Sequence, residues 1–296
     1  MKHLKLWYVG VVCFFFIVKV NAQETEPVLA RARYQFIHVN DTANRDHPKE
    51  EEMVLYAGIN RSFFTSNAEE EINRQMEEQV ANPSFDGNIN LVSKGSSTNE
   101  SFYFVSNTQT LKRIYRLMQN QYILDEPYPQ LDWKISDDTL TIGGYNCQKA
   151  TVSFKGRTYT AWFSPELPFS FGPWKLHGLP GLILDVADSK KEVVFHFVGF
   201  EKLDHVNLQI GTTTDYIETN QEALDRLLKA FKENRQTFMD VQGQGGRSNA
   251  ANVISGLPKK EDAFSSIDPG KIKSINVNKN AGGVSNTDNN PIELTK

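Results

Sequence analysis

Residues Gly144 to Leu184 read GYNCQKATVSFKGRTYTAWFSPELPFSFGPWKLHGLPGLIL, the densest aromatic, glycine and proline stretch of the chain. Thr151 to Phe154 and Thr158 to Phe163 are rich in the β-branched and aromatic side chains that suit a pleated surface, so they read as two strands of a hairpin. Lys155-Gly156-Arg157 lies between them, and Gly156 supplies the positive φ that a tight reversal needs. Beyond Phe163 the pattern breaks. Pro165, Pro168 and Pro173 remove backbone donors and push the residues before them to extended conformations, which predicts an irregular but ordered loop over Ser164 to Trp174. A second turn follows at Gly178-Leu179-Pro180-Gly181. Leu182, Ile183 and Leu184 then open an apolar strand, which Asp185 and Asp188 are expected to lead out into water. Val193 to Gly199 answers it as the next strand.

Working outward, Glu26 to Asn40 places Val28, Ala30, Ala32, Tyr34, Phe36 and His38 at period two, the mark of a half-buried strand, and Glu51 to Ile59 is its expected antiparallel partner. Ser66 or Asn67 is placed to cap a helix over Ala68 to Val80. Its first turn carries Glu69, Glu70 and Glu71, and its narrow stripe of Ile72, Met76 and Val80 suits a helix resting on the body. Glu100 to Val105, Thr110 to Leu117 and Gln121 to Leu124 predict a meander that Thr139 to Ile142 continues, with Trp133 in a connecting segment. Thr219 or Asn220 caps a second helix running to about Thr237, with Glu222 in capping-box position and Ala223, Leu224, Leu227, Leu228 and Phe231 forming the face that packs on the sheet. About ten short strands and two helices predict a mainly β (α+β) fold: a strongly curved antiparallel sheet or partial barrel with a helix packed across it.

Met1 to Ala22 combines Lys2 and Lys5, an apolar run from Leu6 to Val18, and the small residues Val20 and Ala22 of a cleavage site, so residues 1–22 read as a secretory signal. The run is shorter than the roughly 20 residues of a spanning helix, and Lys19 interrupts its end, so no transmembrane segment is expected after cleavage. Without Lys2, Lys5 and Lys19 the chain keeps 29 basic against 36 acidic residues, a balance that argues against nucleic acid as a partner. Cys147 is then the sole cysteine, and it reads as a buried small hydrophobe in a strand. Residues 23–239 are expected to form one β-rich domain. After Met239 the composition turns to Gly and Asn with Phe264 as the one aromatic, so 240–296 is expected to be a largely disordered tail, with Lys271 to Val277 as a candidate edge strand and the terminal Asn290-Pro-Ile-Glu-Leu294 less random.

The strings GYNCQKA, FKGRTYTAWF and FGPWKLHGLPGLIL, with WKI upstream and NPIEL downstream, resemble the GLPGLI family of exported Bacteroidetes proteins. The resemblance is densest over Tyr122 to Phe200, and Gly178, Leu179, Pro180, Gly181, Leu182 and Ile183 carry its signature. It implies a signal peptide, a β-rich domain in the periplasm, at the outer membrane or outside the cell, and no established reaction. A similar domain precedes the catalytic domains of some peptide-N-glycosidases, which implies a binding or accessory module.

Two chemistries are open to the central stretch. Trp133, Trp162, Phe169, Phe171 and Trp174, with Arg157, Lys175 and His177 as polar neighbours, would make an aromatic-lined concave surface suited to a sugar, a peptide or an apolar ligand, and an envelope protein or an outer-membrane uptake system is the candidate partner. The same side chains could instead fill the interior of the curved sheet. The alternative is a hydrolase acting on peptide or glycan, for which Glu126, Glu166, Asp185 and Asp188 are the candidate acid and base, provided that two of them converge. His38, His47, His177, His196 and His205 show no metal-ligand spacing, and no glycine-rich stretch follows a strand-to-helix phosphate signature, so neither a metal nor another cofactor is expected.

Overall fold

The computed structural model describes residues 25–93, 98–118, 120–203, 205–211, 216–235, 253–255, 269–279 and 287–295. The signal segment 1–22 and most of the tail lie outside the described residues. The chain opens with Glu26–Pro27 (β1), Ala30–His38 (β2) and Lys49–Ala57 (β3), of which β2 and β3 form the expected antiparallel pair, followed by Arg61–Ser66 (β4), helix Ala68–Val80 (α1) and Asn88–Ser93 (β5). Glu100–Val105 (β6), Thr110–Leu117 (β7) and Asn120–Glu126 (β8) form the expected meander. Lys134–Ile142 (β9), Tyr145–Phe154 (β10), Arg157–Ser164 (β11), Leu182–Asp188 (β12) and Val193–Lys202 (β13) make up the motif half. Short strands Gln209–Ile210 (β14) and Ile217–Glu218 (β15), helix Gln221–Glu233 (α2), and strands Ile254–Ser255 (β16) and Ser274–Lys279 (β17) complete the described elements.

Twelve of these strands join one curved sheet in the order β15-β8-β7-β6-β4-β3-β2-β13-β12-β11-β10-β9, antiparallel throughout except where β15 runs parallel to β8. The sheet does not close into a barrel. Trp162 on β11 and Ile183 on β12 lie on adjacent strands of it. Alternation dictates the inner face. On β2, Ala30, Ala32, Tyr34, Phe36 and His38 are buried while the residues between them are half-exposed, and on β11 Tyr159, Ala161 and Phe163 point inward and Trp162 outward. The two halves of the sheet share one apolar cluster, to which Tyr34, Leu55, Phe64 and Phe102 contribute from one side and Val152, Tyr159, Phe163 and Phe195 from the other. The Tyr34 hydroxyl crosses it to donate to the Ile183 carbonyl at 2.8 Å. A second cluster covers the opposite face of the first half: Val54, Tyr56, Tyr103 and Ile114 pack under Val28, Leu208 and Ile210, which belong to the small β1-β14-β16 sheet and its flanks.

Several expectations need correction. The segment Thr139–Ile142 belongs to β9, which begins at Lys134 and pairs with β10 at the far edge of the sheet rather than extending the meander. Pro127 and Pro129 carry the chain across in extended form, so adjacency in sequence is not adjacency in the sheet. Strand β4 has no counterpart among the sequence expectations, because RSFFTS mixes buried and half-exposed residues without strict alternation. Helix α1 packs as read, with Met76 buried against Ile89 and Leu91 of β5, but β5 pairs in parallel with β17 to form a separate ribbon. On α2, Asn220 is the cap, its side chain accepting from the Ala223 amide at 2.9 Å, while Glu222 pairs with Arg226 one turn on instead of closing a capping box. Only Leu224 of that helix is buried. Among the described residues no helix is long and apolar enough to cross a membrane.

Candidate functional site

Residues 165–181 leave the sheet at the end of β11 and return at β12, and on the way they fill the space between its two halves. Leu167, Phe171, Trp174, Leu176 and Leu179 all enter the main apolar cluster. Trp174 keeps 4 % of its surface and lies 5.5 Å from the Phe154 ring and 6.0 Å from the Tyr159 ring. Its neighbour Lys175 reaches the opposite half, where its Nζ donates to Glu126 at the end of β8 at 2.8 Å and stands 5.4 Å over the Phe102 ring. His177 packs against Phe104 and Tyr128 at ring distances of 5.3 and 4.6 Å, and its carbonyl accepts from the Trp133 indole at 2.8 Å. Burial pushes the His177 imidazole down to about 4, only partly opposed by the Pro129 carbonyl, so the ring is neutral at pH 7. The concave interior is therefore filled by this loop.

Two glycines permit the arrangement. A Cβ on Gly181, whose φ is +155°, would stand 2.2 Å from the Ser164 carbonyl oxygen, and one on Gly172 would meet the Ile183 side chain at 2.8 Å.

Arg157, at the start of β11, is buried with an ion cluster. Its Nη1 donates to Asp188 at 2.8 Å and to Glu192 at 3.1 Å. Asp188 does not lead its strand into water as expected: it is the buried last residue of β12, and its other oxygen accepts the Glu192 and Val193 amides at 2.6 and 3.0 Å. Charge pairing and a turn of amides replace water around it. The Glu192 carboxyl is pushed up by burial, but hydrogen bonds from Arg45, Arg157 and Asn290 outweigh this and leave it below the usual glutamate range. Residues 287–295 lie across this cluster, so Asn290-Pro-Ile-Glu-Leu294 is packed on the domain. Arg157 Nη2 donates to the Asn290 side chain and the Pro291 carbonyl, and Lys175 and Lys155 hold Glu293 at 2.6 and 3.1 Å.

The four carboxylates flanking the motif strands are each committed to different partners. Glu126 is paired with Lys175 and, at 2.9 Å, with Arg113, and Asp188 with Arg157. Glu166 is exposed and accepts from the amide and side chain of Asn146, both at 3.0 Å. Asp185 lies 2.7 Å from Nδ1 of His196 on the outer face of the sheet, with Trp162 as its cross-strand partner on β11. No group of three or more metal-ligating side chains occurs among the described residues. Cys147 is buried, and burial, with the Glu166 and Asp185 charges adding to it and the Ile142 backbone hydrogen bond only partly opposing it, raises the thiol pKa and disfavours the thiolate.

What remains of the aromatic surface lies at one end of the filled interior. Phe169 packs against Phe200 at 6.1 Å, Phe200 against Tyr145 at 6.1 Å, and Tyr145 against Phe197 at 6.3 Å, all four half-buried. The Asn146–Glu166 hydrogen bonds adjoin this row. Sequence reading reached Phe169 alone of the four. Phe197 and Phe200 would alternate out of register on an ideal strand, and it is the irregularity between Phe197 and Gly199 that lets both lean on Tyr145.

Residues 153–185 match the model of a family described as "Protein of unknown function (Porph_ging)". The GLPGLI resemblance holds. The matched segment runs from Ser153, near the end of strand β10, to Asp185, and so contains Arg157, the whole interior loop and Gly181. Structures of PNGF-II, a peptide-N-glycosidase, in two space groups, P21 and C2, are similar at TM-score 0.44, with 14 % and 13 % identity over 68 % of this chain. The chain spans about a third of the length of PNGF-II, 33 % and 32 % in the two structures. No curated protein matches the chain.

Proposed function

We propose that the chain is an exported cell-envelope protein that binds a ligand or partner without chemical turnover, through the half-buried row Phe169, Phe200, Tyr145 and Phe197. The observation that carries this reading is the contrast between that row and the carboxylates. Four ring systems stand at the surface edge of the core with a polar pair beside them, the composition that suits a sugar face, a peptide or an apolar group. General acid–base cleavage instead needs two carboxyl groups facing one bond, and Glu126 and Asp188 are neutralised by buried cations while Asp185 is tied to His196. Trp133 and His177 are joined inside the fold by the indole–carbonyl hydrogen bond and Trp162 lies on the outer face of the sheet, so none of the three is assigned to the row. Arg157, Trp174 and Lys175 act from within, by shaping the body that presents the row. An outer-membrane uptake system is the candidate partner machinery.

Arrays of soluble glycans and peptides test the proposal. The parent protein is expected to retain one ligand class, and Phe200→Ala to weaken that retention by about tenfold while Trp162→Ala, on the outer face, leaves it unchanged. Equal retention by Phe200→Ala at an unchanged urea midpoint, or cleavage products from any array member, would overturn it. Export is read separately, from recovery of the mature chain outside the inner membrane.

A further inference from the structure

The fork of Arg157 is divided between two tasks. Nη1 faces the body, where Asp188 and Glu192 fix it, and Nη2 and Nε face outward and are filled by residues 290–292. Because Asp188 is anchored in turn by the Glu192 and Val193 amides, the guanidinium is oriented by groups that do not belong to the segment it holds. Its side chain keeps 2 % of its surface.

The recognition is sequence-reading. Asn290 is addressed at every polar group: its Oδ1 accepts from Arg157 at 2.7 Å, its Nδ2 donates to the Val39 carbonyl at 2.7 Å and to Glu192 at 3.1 Å, and its carbonyl accepts from His38 Nε2 at 2.7 Å. Pro291 brings no amide hydrogen to satisfy, and its carbonyl accepts from Arg157 at 2.9 Å. Ile292 accepts from Arg157 Nε at 3.0 Å and packs its side chain on the main core. Glu293 is held by two lysines, and the Leu294 amide donates to the Lys155 carbonyl at 2.9 Å. An aspartate at position 290 would lose both donors, and a residue with an amide hydrogen at 291 would need a partner.

We propose that this groove, built from the ends of β2, β10, β11, β12 and β13 with Lys175, is a peptide-binding site for the linear sequence Asn-Pro-aliphatic-Glu, which the chain fills with its own residues 290–293 and which accepts the same sequence from a separate peptide. It stands apart from the aromatic row and does not depend on a ligand there.

The test keeps every residue present. A site for a sequence-specific protease is inserted between Gly282 and Gly283, the protein is cut, the pieces are separated in urea, and the body is refolded with a labelled peptide spanning residues 283–296. Formation of a one-to-one complex on gel filtration is expected, with the Asn290→Ala and Glu293→Ala peptides each binding about tenfold or more weakly by fluorescence anisotropy. A body that regains its far-ultraviolet circular dichroism but takes up no peptide would overturn the proposal, as would a body that peptide in excess fails to refold, or equal uptake of a scrambled peptide.

Discussion

Gly181 shows how one backbone position decides the central loop. Its φ of +155° and the 2.2 Å that would separate a Cβ at this position from the Ser164 oxygen leave no space for a side chain, and the blocking atoms are backbone that the β11–β12 pairing holds in place. Gly181→Val is therefore expected to cost roughly 3 kcal/mol or more, read as a lower urea midpoint at unchanged slope. Tyr159 makes the opposite case. Its hydroxyl is fully buried and meets no hydrogen-bond partner among the described residues, so Tyr159→Phe removes an unsatisfied group without opening a cavity. The expected result is a protein as stable as the parent or more so, by about 1 kcal/mol in urea unfolding. Arg157 was legible in the sequence only as a cation near aromatics. Its partners Asp188, Glu192 and Asn290 lie 31, 35 and 133 residues away, and no local pattern announces pairing over such distances.

At the scale of elements, what was legible was whatever a short period or a turn rule could carry. The β10–β11 hairpin turns on Lys155 and Gly156, both at positive φ, with Phe154 opposite Arg157, so the reversal takes two residues rather than three but lies where glycine placed it. Strands β2, β6 and β7 follow their alternation or apolar content. The far pairing of β9, the parallel ribbon of β5 with β17 and the packing of residues 287–295 were not readable, because each depends on which edge the rest of the chain leaves open. The two helices separate the same way. Asn220 was one of two possible caps, and its hydrogen bond to the Ala223 amide settles the choice. Since α2 buries only Leu224, little packing backs it and the cap is a sizeable part of what holds its first turn. Asn220→Ala is expected to lower the protection of α2 amides in hydrogen exchange by about 1 kcal/mol, with the exchange of β11 and β12 unchanged.

The molecule as a whole places neutral imidazoles at two seams. His177 lies where the interior loop meets β6, and His38 where β2 meets residue 290. Burial lowers both pKa values, His177 to about 4 and His38 against the opposing Asn290 carbonyl, so the folded chain binds protons less readily than the unfolded chain, which takes them up near 6.5. The unfolded state thus takes up more protons between those limits. Stability is full above about 6.5 and falls as the pH drops toward 4 and His177 must be protonated, by up to about 1.4 kcal/mol per pH unit, with His38 acting in the same direction. Glu192 and Glu293, held below the ordinary glutamate value of 4.5 by Arg45, Arg157, Lys155 and Lys175, extend the loss to lower pH. Glu51, raised by burial, opposes it over its own range. The urea midpoint is therefore expected to decline from pH 7 to pH 5, where carboxylates other than raised ones scarcely titrate, and His177→Gln should make that decline shallower. A midpoint that stays level over this interval in the parent would show that the loop's histidine is solvated and that the interior is not sealed at the Phe104 seam.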